Sequence, residues 1–156
     1  MAPSKIIVAG PDYIVSDLKR IELDSIDLNS VNLDKNKFPM PINLPQNCRS
    51  LNNIYSADVT INMSGFREKI LQIKDFEFLN LPQNKSAEVY NGEISATVLA
   101  PQNKIGLIKP SDIVASIDCE GLDSVGSLEL PVSFRILNHG DAWIYGKYYV
   151  NVNIKN

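Results

Sequence analysis

Apolar and polar residues alternate with a period of two along most of the chain. Tyr55, Ala57, Val59, Ile61 and Met63 alternate with polar partners. Leu128, Leu130, Val132, Phe134 and Ile136 do the same, as do Tyr148, Val150, Val152 and Ile154. Shorter apolar segments rich in Ile and Val run over 5–9, 21–28, 76–79, 94–99 and 113–118. Turn residues bound them: Gly10-Pro11, Asn91-Gly92, Ala100-Pro101 and His139-Gly140. This is the pattern of strands buried on one face, as in antiparallel sheets. Only the stretches after Pro11 and Pro101 look helical. Ile14 with Leu18, and Ile105 with Ile108, share one face of a single turn, too short for a stable surface helix. The expected fold is mainly β with short helical turns.

The pattern also repeats. Lys5-Ile6-Ile7-Val8-Ala9-Gly10-Pro11 sets beside Ile94-Ser95-Ala96-Thr97-Val98-Leu99-Ala100-Pro101, with the two prolines 90 positions apart. Met40-Pro41-Ile42 matches Leu130-Pro131-Val132, and Ile54-Tyr55 matches Ile144-Tyr145, both at 90. Ile26-Asp27 matches Ile117-Asp118 at 91, and Val59, Ile61 and Met63 match Val150, Val152 and Ile154 at 91. Chance yields isolated matches but not an ordered series. Two tandem small β modules are expected, residues 1–65 and 66–156, with the first partial at its N-terminus. The small residues of Met63-Ser64-Gly65 mark the junction. Val8, Ile26, Ile42, Val59 and Ile61 are expected in the first core. Val98, Ile117, Val132, Phe134, Val150 and Val152 are expected in the second.

Composition narrows the class. In 156 residues, 44% hydrophobic and 21% charged, the chain is globular and makes one domain or two small ones. Fifteen basic residues against eighteen acidic ones leave a net charge of −3, the wrong sign for a surface that recognises phosphates. No apolar run reaches the ~18–20 residues of a membrane span. No secretory signal opens the chain either; Met1-Ala2-Pro3-Ser4 runs straight into an apolar segment.

Reactive residues are scarce. The single histidine, His139, sits among turn residues in Asn138-His139-Gly140-Asp141 and reads as a loop residue. Cys48 and Cys119 are 71 positions apart, and filling small apolar gaps is favoured over a disulfide. Asp24, Asp27 and Asp34, interspersed with Asn29, Asn32 and Asn36, offer oxygen ligands but lack the order of a calcium loop. Asp112, Asp118, Glu120 and Asp123 supply acids for a hydrolase, yet their spacing around a strand end does not force two of them into one cleft. No catalytic residue, metal ligand or cofactor is expected. Two Asn-x-Ser triplets, at Asn62 and Asn84, are about what chance gives in an Asn-rich chain. Trp143, Tyr145, Tyr148 and Tyr149 crowd four aromatics into seven positions. Together with His139 they form the candidate partner-contact surface, since aromatics combine area with a polar handle.

Taken in order, these segments resemble the YbbR-like repeat. The second copy carries the likeness best: Ser95-Ala96-Thr97-Val98-Leu99-Ala100-Pro101, then 108–118 ending in Ala115-Ser116-Ile117-Asp118, then Gly126-Ser127-Leu128-Glu129-Leu130-Pro131-Val132 and a closing strand over 149–154. The first copy keeps Val8-Ala9-Gly10-Pro11, Ile26-Asp27-Leu28 and Pro41-Ile42, but departs in its loops and lacks a leading strand pair. The resemblance implies a mainly β module used in tandem on bacterial proteins that are anchored by one N-terminal membrane helix and displayed outside the membrane. It further implies a non-catalytic regulator of a protein partner, a membrane diadenylate cyclase being the best-understood case, with the membrane reached only through a span absent from these residues. A spacer or adhesive repeat is the alternative, and a small hydrolase a remote one.

Overall fold

The protein is described here from a computed structural model covering residues 1–122 and 124–156. Strand takes 43% of the described residues and helix 6%, so the fold is mainly β, as the period of two predicts. The chain divides into two compact units. One comprises Met1–Asp27 and Asp34–Met63, the other Leu28–Leu33 and Ser64–Asn156.

The first unit is sparse in regular structure. Strand β1 (Val8–Ala9) pairs antiparallel with β3 (Arg49–Ser50), and β2 (Lys37–Pro41) with β4 (Ser56–Thr60). A single helical turn, α1 (Asp12–Val15), follows Pro11, whose carbonyl accepts from the Ile14 and Val15 amides at 2.9 and 3.0 Å. Residues 21–27 form no strand, although their apolar positions suggested one. Met40, Ala57 and Met63 are buried, whereas the expected core residues Val8, Ile26, Ile42, Val59 and Ile61 are only half-buried. Two short ladders present too little apolar surface to enclose them.

The second unit holds the larger core. Strands β5 (Phe66–Ile73), β8 (Ile94–Pro101) and β11 (Trp143–Ile144) form a three-stranded sheet with β8 in the middle. A five-stranded sheet runs in the order β6 (Phe76–Leu79), β9 (Ile113–Asp118), β10 (Gly126–Ile136), β12 (Tyr148–Lys155), β7 (Ser86–Val89). All pairs are antiparallel except β6 with β9. Strand β10 pairs with β12 up to Val132 and with β9 from Ser133 onward. Pro131 stands one residue before the end of the first ladder, opposite Tyr149. Val98, Ile117, Val132, Val150 and Val152 are buried as expected, while Phe134 is half-buried against Tyr148. Ile73, Ile108, Ile113 and Ile154 complete the centre, each contributing about 1.5–3 kcal/mol by burial.

Residues 28–33, expected in the first module, fold with the second unit instead. The 3-10 turn Leu28–Ser30 presents Val31, which is fully buried. The Gly146 amide donates to the Asn29 carbonyl at 2.8 Å and fixes that turn against β11.

The pairing scheme of the first unit recurs in the second. Val8 faces Ser50 as Val98 faces Ile144. The Pro101 carbonyl accepts from Lys104 and Ile105, three and four residues on, as Pro11 does from Ile14 and Val15. Ile54-Tyr55 does not follow this scheme. Ile144 pairs in β11, so its counterpart by pairing is Ser50.

Candidate functional site

The five residues of the predicted contact surface have separate placements. Trp143 lies on β11 opposite Leu99. Its indole N–H donates to the Val31 carbonyl at 3.0 Å, and its ring packs on Phe66 with centroids 5.5 Å apart. The Tyr145 hydroxyl donates to Glu68 Oε1 at 3.0 Å. Tyr148 begins β12, accepts the Thr97 amide on its hydroxyl at 3.0 Å and meets Phe134 edge-on at 5.2 Å. His139 is half-buried, with Nε2 3.7 Å from Asp112 Oδ2. Trp143 and Tyr148 are thus occupied in joining elements of the fold. Tyr149, across from Pro131, remains 53% exposed.

The exposed aromatic beside Tyr149 is Tyr90, 79% exposed, which the sequence reading passed over. Its amide donates to the Asn151 carbonyl at 2.8 Å, and the Gly92 amide closes the turn onto the Val89 carbonyl at 3.0 Å. Gly92 has a φ of +65°, which favours glycine there. Tyr90, Asn91, Glu93, Tyr149 and Asn151 border a shallow groove of about 250 Å³. Asn91-Gly92 was legible as a turn, and a tyrosine directly before it was the available signal.

The first unit carries a larger groove, about 430 Å³. Ile6, Val8, Leu18 and Ile21 supply apolar walls, with Lys5, Lys19 and Arg20 among them and no carboxylate in the lining. Arg20 meets Glu22 at 2.9 Å in a pair that is more than three-quarters exposed on both sides.

The acids do not converge. Asp112 caps the turn Pro110–Asp112 by accepting the Lys109 amide at 2.8 Å. Asp118 lies at the far end of β9, about 20 Å along an extended strand from Asp112. It accepts from Asn80 and from the Glu120 amide, and these hydrogen bonds hold its carboxyl below the ordinary range. Asp123 lies outside the described residues. Asp24 accepts from Asn43 at 3.5 Å, and among the described residues no three His, Cys, Asp or Glu side chains gather to hold a metal. Both cysteines are free; burial, reinforced by the Asp118 charge, pushes the Cys119 thiol up. No helix among the described residues is long and apolar enough to cross a membrane.

No family model and no curated protein matches this chain. Among solved structures it is similar to the crystal structure of a YbbR-like domain from Listeria monocytogenes, at 14% identity and a TM-score of 0.44, over 57% of this chain and 93% of that one.

Proposed function

We propose that the chain is a non-catalytic binding module made of two copies of one β unit, carried outside the membrane by an anchored bacterial protein whose membrane partner it regulates. The observation that carries this reading is the repeated pairing. The β1–β3 and β8–β11 ladders and the two proline turns recur at offsets close to those of the sequence repeat. Such a module works by contact alone: it alters a partner by binding one of its states more tightly than another. Tyr149, Tyr90 and the turn between β7 and β8 supply an exposed aromatic edge for that contact. With the YbbR-like resemblance, the partner that fits best is a membrane cyclic-dinucleotide synthase.

The test measures cyclic-dinucleotide production in membranes that contain the anchored protein with and without these residues. A changed rate supports regulation. An unchanged rate, with the anchored form at normal levels, replaces it with the spacer reading, which repeated modules also serve. The isolated chain is expected to turn over no nucleotide, peptide or glycan.

A further inference from the structure

Of the 16 asparagines in the chain, only Asn91 precedes a glycine. The dipeptide lies in the turn between β7 and β8, where Asn91 and Gly92 are both exposed. Among the described residues the Asn91 side chain has no hydrogen-bond partner, so its amide is free to rotate. Other asparagines are held: Asn80 donates to Asp118 at 2.8 Å, and Asn52 accepts from the Ser50 hydroxyl at 2.8 Å. A Cβ placed on Gly92 would meet nothing within 4 Å, so the nitrogen beside it is open to approach.

One contact opposes reaction at this place. The Gly92 amide donates to the Val89 carbonyl at 3.0 Å and so holds its proton. It is a single bond in an exposed turn, of the kind that opens locally at little cost while the rest of the fold stays closed. Once it opens, the Gly92 nitrogen can give its proton to hydroxide and become a nucleophile. Closing that nitrogen onto Asn91 Cγ makes an unstrained five-membered ring. Gly92, with a φ of +65°, lacks the side chain that would crowd the approach.

We propose that Asn91 is a site of spontaneous covalent modification in the folded chain, ahead of every other asparagine. The Gly92 nitrogen attacks Asn91 Cγ, the N–Cγ bond forms, and ammonia leaves with its third proton taken from water, giving a cyclic imide. Water adds to one of the two imide carbonyls and breaks that carbonyl's bond to nitrogen. Aspartate or isoaspartate results, and nothing is oxidised or reduced. Either product sets a new carboxylate on the rim of the groove that Tyr90 and Tyr149 border, close in sequence to Glu93. Isoaspartate also lengthens the main chain by one carbon before Gly92 and so dismantles the turn that closes on Val89. The modification does not rest on the binding-module reading, and it is measured without a partner.

The experiment incubates the full chain at mildly acidic and mildly alkaline pH, folded and in urea. Isoaspartate is located by peptide mass spectrometry and by labelling with an isoaspartyl methyltransferase. In the folded chain it is expected at Asn91 before any other asparagine, and faster at the alkaline pH, because hydroxide takes the Gly92 proton. Asn91→Gln should lose the product entirely, since glutamine would have to close a larger ring, and circular dichroism reports that the variant is folded. Four results overturn the proposal. The first is no isoaspartate at Asn91 in the folded chain, even where the unfolded chain gains it, which would mean that the bond to Val89 protects the site. The others are earlier modification of another asparagine in the folded chain, a rate indifferent to pH, and an undiminished total of isoaspartate in the Asn91→Gln variant.

Discussion

The Trp143 indole N–H reaches the Val31 carbonyl at 3.0 Å, joining residues 112 positions apart in one unit. Because Val31 is fully buried, its carbonyl has no water to turn to when the indole is removed. Trp143→Phe keeps a ring against Phe66 but deletes the donor. A loss of about 1–3 kcal/mol is expected, read from urea unfolding, and Trp143→Ala should cost more because the ring contact goes as well. A stability within about 0.5 kcal/mol of the parent for Trp143→Phe would show that the bond carries no net weight.

Tyr148 and Tyr149 are neighbours with opposite tasks. Tyr148→Phe keeps the edge-on contact with Phe134 and strips the Thr97 amide of its acceptor, so a loss of about 1–3 kcal/mol is expected. Tyr149→Ala removes an exposed ring and should move stability by no more than about 0.5 kcal/mol. Thermal unfolding of the two variants separates them, and equal losses would contradict the alternation of faces along β12.

Gly10 is tightly boxed. A Cβ built there would stand 2.5 Å from Cys48 Sγ and 3.3 Å from the Asn47 carbonyl oxygen. At the matching place in the second copy, Ala100 is accommodated with full burial. Gly10→Ala is expected to cost about 1–3 kcal/mol by overpacking. Adding Cys48→Ala should recover most of it, because the thiol is the nearest obstacle. A double variant no more stable than Gly10→Ala would assign the crowding to the Asn47 and Cys48 backbone.

Three exposed carboxylates sit below the ordinary range: Glu88 through the Lys155 ammonium, Asp118 through Asn80, and Asp141 through Lys104. A lowered folded value means the unfolded chain takes up protons first as pH drops. Their contribution is therefore complete above the ordinary carboxylate range and is lost as pH falls through the lowered values. Lys155→Met should flatten this acid limb without altering stability differences at higher pH between 7 and 8. An unchanged acid limb in chemical denaturation from pH 2 to 6 would argue that the Lys155–Glu88 pair forms equally in the unfolded chain.

Strand positions in the second unit were readable because each strand is paired on at least one side, and in the central ones alternation and burial coincide. Val150, Val152 and Ile154 face the core in strict alternation. Ile21 and Leu23 carry the same alternation, but without a ladder beside them they make no strand, since pairing lies outside the local pattern. The aromatic cluster was legible as a cluster. Its division of labour was not, because donors such as the Trp143 N–H choose partners far along the chain. Four residues separate the sequence match of Ile144 from its pairing counterpart Ser50, because loops between β3 and β4 differ in length and apolar dipeptides align easily by accident.

The turn at Leu28–Leu33 fixes what recombination can do with this chain. A cut at residue 63 follows the last border between the units along the chain, yet it would leave the second unit without the Val31 side chain and the Trp143 acceptor. Deleting or shuffling the first copy as a block would carry that cost with it. A transplant of residues 64–156 into another protein must therefore bring a substitute for Val31 to remain whole.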